Sequence, residues 1–249
     1  NIPFNNLVND NKIRFNNLKY RNVGPTRGGR VTSVHGVESL KYIFYMGTTG
    51  GGLWKTIDAG TTWKNISDGY FKSPSIGAIN VYQKNPNIIY VGTGTDGFRS
   101  NLIVGKGMYK SIDAGKSWNF IGLKNTGQIG AVEIDPNNQN NVYVAAIGQP
   151  FQKNKERGLY KTIDGGKSWK LVLHKSDKAG AIDLTMDPNN PRILFAAIFE
   201  TLSTPWNTSS GGPDSGLYKT TDGGETWVDI SNNSGLPTGV KGRMAVAVS

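Results

Sequence analysis

Leu159-Tyr160-Lys161-Thr162-Ile163-Asp164-Gly165-Gly166-Lys167-Ser168-Trp169 is the stretch that decides the fold, because the chain contains it four times. The other copies are Leu53 to Trp63, Met108 to Trp118 and Leu217 to Trp227. Their closing tryptophans stand 55, 51 and 58 residues apart, near the roughly 40–50-residue period of propeller blades with some loop insertion. In each copy an Asp can accept hydrogen bonds from the backbone N–H groups of its own turn, and a Gly supplies positive φ. The repeated element is therefore a pinned hairpin, an Asp box, whose Trp is expected to fold between sheets. On this reading Asp58, Asp113, Asp164 and Asp222, with Trp63, Trp118, Trp169 and Trp227, are structural residues and take no part in catalysis.

Working outward from the boxes, each repeat divides into four short strands, A to D from the axis. The A strands are Arg30 to Val37, Ser75 to Tyr82, Gln128 to Asp135, Ala179 to Asp187 and Arg243 to Ser249. Small residues such as Ile76-Gly77-Ala78 and Ile129-Gly130-Ala131 suit strands crowded round an axis. The B strands, Tyr42 to Met46, Ile88 to Gly92, Val142 to Ala146 and Ile193 to Ala197, are apolar on both faces, as strands buried between neighbouring sheets must be. The 33 glycines and dense turn signals leave no sustained helical spacing. The expected fold is all-β: a β-propeller of four-stranded antiparallel blades, four complete and a fifth begun, forming part of a larger propeller. Residues 1–22 read as an extension, with Ile13 to Val23 a candidate latch strand. Residues 23–249 read as the propeller, with blades near 30–67, 75–122, 128–173 and 179–231 and a partial one over 241–249.

Composition narrows the function classes. The 249 residues, 37% apolar, are enough to bury a core and read as a soluble globular protein. No apolar run approaches the roughly 20 residues of a membrane helix. Without cysteine there are no disulfides and no thiolate metal sites. The formal charge of +10 favours acidic partners. It is spread thinly, with no clustered basic and aromatic groove, so nucleic acid is not an expected ligand. Lys55, Lys110, Lys161 and Lys219 recur once per repeat and read as solubilising strand-surface residues. His35 and His174 are the only histidines, too few for a zinc centre and badly placed for a Ser-His-Asp triad. The boxes lack the alternating oxygen ligands of a calcium loop. Gly115-Lys116-Ser117 and Gly166-Lys167-Ser168 lack the earlier Gly and the following helix of a phosphate loop. No metal and no cofactor is expected.

Strand direction chooses the functional face. A–B turns and box turns share one face of an up-and-down blade, and B–C and D–A connections share the other. The A–B turns, such as Asp135-Pro136-Asn137-Asn138 and Asp187-Pro188-Asn189-Asn190, vary little, whereas the B–C loops over Gly94 to Gly107, Gly148 to Gly158 and Glu200 to Gly216 are long and mixed. Function concentrates in such loops. Ligand-binding candidates on that face are Arg27, Arg30, Arg99 and Arg157, suited to bidentate recognition of carboxylates or sugar hydroxyls, and Phe98, Phe151 and Trp206, suited to stacking on a ring. The acidic candidates for catalysis are Asp96, Glu156, Glu200 and Asp214. Glycoside hydrolysis needs two of them about 5–10 Å apart.

Several runs carry a family resemblance: Gly24-Pro25-Thr26-Arg27-Gly28-Gly29-Arg30-Val31, Gly50-Gly51-Gly52-Leu53-Trp54-Lys55-Thr56, Tyr90-Val91-Gly92-Thr93-Gly94, residues 180–188, and Ser209-Ser210-Gly211-Gly212-Pro213. Over about Leu18 to Ser249 the chain is similar to bacterial BNR/Asp-box propellers related to the sortilin N-terminal domain. The resemblance implies an extracytoplasmic protein that continues into further blades, of a kind often labelled glycosyl hydrolase. Relatives often carry Glu directly after Gly-Thr-Gly, where this chain has Thr95 and then Asp96, so no acid role transfers to that place. Tyr20-Arg21-Asn22-Val23 departs from the sialidase arginine motif as well. Two function classes follow. One is a noncatalytic module binding protein, peptide or glycan through the B–C and D–A face; the other is a glycoside hydrolase acting on a polysaccharide through a pair of loop carboxylates.

Overall fold

The structure is a computed structural model that describes residues 29–248 apart from residues 96, 98 and 100. It holds four antiparallel sheets, each a meander in chain order. The first is β1 (Val31–Gly36), β2 (Phe44–Thr48), β3 (Leu53–Thr56) and β4 (Lys64–Asn65). The second is β5 (Ile76–Val81), β6 (Ile89–Thr93), β7 (Met108–Ser111) and β8 (Asn119–Phe120). The third is β9 (Gln128–Asp135), β10 (Asn138–Gly148), β11 (Gly158–Thr162) and β12 (Lys170–Leu173). The fourth is β13 (Ala179–Met186), β14 (Leu194–Thr204), β16 (Gly216–Thr220) and β17 (Val228–Asp229), with β15 (Asn207–Ser210) paired to the far end of β14. Among the described residues there is no helix.

The first strand of each sheet lies against the first strand of the next, so the sheets fan from a common inner edge as the blades of a partial propeller. Glycine permits that approach: a Cβ on Gly77 would overlap the carbonyl oxygen of Ile129, and one on Gly130 that of Ile182. Polar side chains stitch the same edge. Ser33 Oγ accepts from the Ile79 N–H at 3.0 Å, and the Asn80 amide donates to Val132 O at 2.8 Å. Between the sheets lie apolar layers, such as Ile129, Val132, Val142 and Val144 of blade three against Tyr90 and Met108 of blade two. Strand β6 is buried throughout, as a strand packed on both faces must be.

Each box has one geometry. In the third, Asp164 Oδ1 accepts from Thr162 Oγ1 (2.7 Å) and Ser168 N–H (3.0 Å), Oδ2 accepts from Ser168 Oγ, and Thr162 Oγ1 accepts from Gly166 N–H (3.0 Å). Gly166 sits at φ 94° and Gly165 at φ 75°. The Trp118 indole donates to Ile66 O in the preceding blade (2.8 Å), and that of Trp169 to Ile121 O (2.7 Å). Trp63, in the first described blade, donates to Gly60 O in its own turn (3.1 Å).

Three expectations are corrected. Residues 242–248 do not form the inner strand expected from Arg243 onward; one isolated bridge, Gly212 to Lys241, is made there, and Ser249 lies outside the described residues. The span from Glu200 to Gly216 is not an irregular loop: β14 runs on to Thr204 and turns back as β15, because Thr201, Ser203 and Thr208 continue the alternation of a strand. The box lysines are not surface solubilisers. Lys55, Lys110 and Lys161 are half-buried and donate to backbone carbonyls of the next blade, because their neighbouring rings hold the ammonium over the junction.

Candidate functional site

The B–C connections of blades one and two bring Arg30 and Arg99 together. Both line a cavity of about 340 Å³ with Thr49, Thr95, Gly97 and Asn101. Arg30 is placed by the start of β1, and the Thr49 N–H closes the spot by donating to Arg30 O (3.0 Å). The cavity wall combines two guanidinium groups with hydroxyl and amide groups, a lining suited to an oxygen-rich or anionic ligand. Arg27, Asp96 and Phe98 lie outside the described residues.

On blades three and four the same face carries exposed rings. Trp206, at the tip of the β14–β15 hairpin, is 85% exposed, and Phe151 in the preceding blade's B–C connection is 47% exposed. The hairpin leans on that connection through the Ser203 N–H to Pro150 O hydrogen bond of 2.8 Å. The two aromatic-bearing excursions are thus coupled.

Arg157 is corrected from ligand-binding candidate to internal clamp. It is fully buried and donates to Ile147 O and Lys178 O (both 3.0 Å), Gln149 O, Gln152 O and Asn154 Oδ1 (3.1 Å). Burial pulls its guanidinium down to about 10. Its hydrogen-bond capacity is spent on folding the Gly148–Gly158 connection. Glu156 accepts from the Asn154 amide (3.3 Å) in that connection. Glu200 folds against Gly212, and its Oε2 accepts from the Asp214 N–H at 3.1 Å. Glu200 and Asp214 are therefore neighbours, with the Glu200 carboxylate committed to the turn that carries Asp214.

A second polar cluster, absent from the candidates above, lies at the inner edge on the opposite face. His35, Asn80, Gln83, Lys84 and Glu133 line a cavity of about 520 Å³. Glu133 is pushed up to about 7, first by burial and then by the like charge of Asp183 on the next inner strand. His35 is pulled down by burial. The signal was a Glu alternating with apolar residues in Ala131-Val132-Glu133-Ile134, a charge at an inward-facing register of an inner strand. The box carboxylates shift the other way: the Ser117 hydroxyl and N–H hold Asp113 down to about 2, and Thr62 does the same to Asp58. Among the described residues no cluster of three or more His, Asp or Glu could hold a metal ion.

A family model described as Sortilin, neurotensin receptor 3 (Sortilin-Vps10) matches residues 106–236, just over half of the chain. The chain belongs to the Sortilin-Vps10 family. This Sortilin-Vps10 propeller is 25% identical over 224 residues to a xyloglucanase of a Paenibacillus species, covering 78% of the chain and 20% of that protein. It is 25% identical over 228 residues to a probable oligoxyloglucan-reducing end-specific xyloglucanase of Neosartorya fischeri, covering 85% of the chain and 25% of that protein. Among solved structures it superposes on the GH74 xyloglucanase of Xanthomonas campestris with a TM-score of 0.57 at 18% identity, over 81% of the chain and 29% of the other. The Niastella koreensis GH74 enzyme also gives 0.57 at 18%, over 76% and 27%. These two superpositions show the fold. The chain spans a fifth to a quarter of the length of the relatives it matches. Among the described residues no helix is long and apolar enough to cross a membrane.

Proposed function

We propose that the B–C face is a noncatalytic binding surface for a polysaccharide, working outside the cytoplasm. The observation that carries this reading is the coupled pair of exposed rings, Trp206 and Phe151, on adjoining blades. An exposed Trp is a costly surface residue unless it meets an apolar face, and a sugar ring offers one. The hydroxyls and amides of Asn207 and Thr208 beside it, and the Arg30–Arg99 cavity further round the face, supply the polar contacts a glycan needs. The names of the relatives point to the same ligand class.

Affinity electrophoresis or calorimetry with soluble xyloglucan tests the proposal. Trp206→Ala is expected to weaken binding by at least about tenfold, or 1.4 kcal/mol, with the melting temperature unchanged. Equal affinity in the variant, or no binding by the parent chain, sinks it. The xyloglucanase relatives favour a second reading, a hydrolase. Release of reducing ends from xyloglucan that disappears in Asp96→Asn or in Glu200→Gln would replace the binding reading with that one.

A further inference from the structure

The three junctions between successive blades are built alike, and the third of them encloses a carboxylate. There Lys161 donates twice, to Gly223 O at 2.7 Å and to Glu225 Oε1 at 2.9 Å. The other oxygen of Glu225 accepts from Lys170 at 3.2 Å. Lys161 lies on β11 and Lys170 on β12, so a glutamyl carboxylate from the box of blade four is held between ammonium groups on two strands of blade three.

The first junction has the same frame with the anion replaced by a cation. Lys55 and Lys64 stand at the positions of Lys161 and Lys170, and Lys116, three residues after the box Asp, stands at the position of Glu225. Lys55 makes the first of the two bonds, to Ala114 O at 2.9 Å. Burial pulls its ammonium down and the like charge of Lys116 adds to that, against an opposing pull from Asp113. The three lysines line a cavity of about 570 Å³, with Asp68 the one carboxylate on its wall. Among the described residues none of the three is ion-paired. Tyr70 completes the wall: its ring is 44% exposed, and its hydroxyl donates to Lys116 O at 3.2 Å, which holds the ring beside the ammonium groups. At the second junction Lys110 and Lys167 keep two of the positions, but Asn119 takes the third, so the full set belongs to the first junction.

We propose that the cavity at the first junction binds a uronate-bearing glycan, whose carboxylate takes the place that Glu225 fills at the third junction and whose ring lies on Tyr70. Lys55, Lys64 and Lys116 then surround the carboxylate. A wall with three positive charges and one negative attracts a ligand carrying more than one carboxylate, as a uronate oligomer does. Lysines alone would serve any anion. The fixed Tyr70 ring adds an apolar platform that a pyranose ring covers and that an inorganic anion or an acidic side chain leaves idle. None of the residues lining the cavity belongs to the B–C connections. The site is therefore separate from the surface of Trp206 and Phe151 and stands whether or not that surface binds a glycan.

Calorimetry with oligogalacturonate tests it. Lys116→Glu restores the carboxylate of the third junction and is expected to weaken binding at least about tenfold, with the melting temperature not lowered. Lys41→Glu makes the same change in net charge at an exposed turn of blade one and should leave the affinity as it is. Should Lys116→Glu fail to fold, Lys116→Gln against Lys41→Gln gives the same comparison. Tyr70→Ala is expected to weaken binding about fivefold, and Tyr70→Phe, which keeps the ring, to bind as the parent does. The proposal is overturned if the parent chain does not bind the oligomer, or if the Lys116 and Lys41 variants lose affinity equally, which would leave net charge as the cause. Binding that survives full methyl esterification of the oligomer overturns it too, as does an unchanged affinity in Tyr70→Ala. A glutamate oligomer that binds as tightly as oligogalacturonate would replace the glycan with an acidic peptide.

Discussion

Two carboxylates of this chain are tuned in opposite directions by their hydrogen bonds and burial. Asp113 is stabilised as an anion by Ser117 and Ser111, with its carboxyl held down to about 2 from 3.8. A lowered folded value means stabilisation that is complete above about pH 4 and is lost as pH falls toward 2. Asp113→Asn should therefore flatten the acid limb of a stability-against-pH curve measured by urea unfolding, leaving less to lose below pH 4. Glu133 runs the other way. Between about pH 4.5 and 7 the unfolded chain releases a proton that the folded chain keeps, so stability falls as pH rises through that window. Glu133→Gln is expected to leave stability unchanged at pH 4 and raise it at pH 8 by about 2–3 kcal/mol; an equal effect at both values would refute the assignment. The Asp role was legible from the repeated turn. That of Glu133 was not, because burial on an inner strand beside Asp183 depends on a residue 50 positions away.

Strand elements depend on small residues at the inner edge. Gly130 is packed so that any side chain meets the Ile182 carbonyl. The backbone of a neighbouring sheet cannot move aside as a flexible side chain can. Gly130→Ala should cost at least about 2 kcal/mol in chemical unfolding, whereas Gly29→Ala, with open space around it, should change nothing measurable. Strands of this kind were readable from composition: Gly and Ala marked the inner ones and unbroken apolar runs the middle ones. The β14–β15 hairpin was not readable, because Thr201 to Ser210 is polar enough to pass for a loop. Its pairing is made by backbone hydrogen bonds that composition does not report. The strand expected from Arg243 onward is absent for a related reason. A strand needs a paired neighbour, and among the described residues no strand pairs with residues 242–248.

Across the whole molecule, the same residue has different worth according to the blade before it. Trp118 fills the junction with blade one, edge-on to Phe71 and bonded to Ile66 O. Trp63, in the first described blade, bonds within its own turn. Trp118→Ala is expected to cost about 3–5 kcal/mol and Trp63→Ala clearly less, as denaturant titration would show; equal losses would mean that the tryptophans stabilise their own turns and not the junctions. Equivalent positions of the A and B strands say the same. Val34 and Phe44 are 70% and 40% exposed on blade one, while Ile79 and Ile89 at the same register of blade two are 6% and 0% exposed.

Blade type and strand order within a blade followed from the amino-acid sequence alone, since box, turn and strand are local and each is written out four times over. Which loop side chains stay open on the B–C face was decided in three dimensions. Arg157 and Arg99 are both loop arginines in sequence, yet one is enclosed by five acceptors and the other lines an open cavity. The lysines read as solvated became clasps for the same reason. The Arg157 acceptors come from residues 147–154 and from Lys178, within 21 residues, whereas the lysine acceptors are brought by the next blade, 55 to 62 residues along the chain, and composition reports neither partnership.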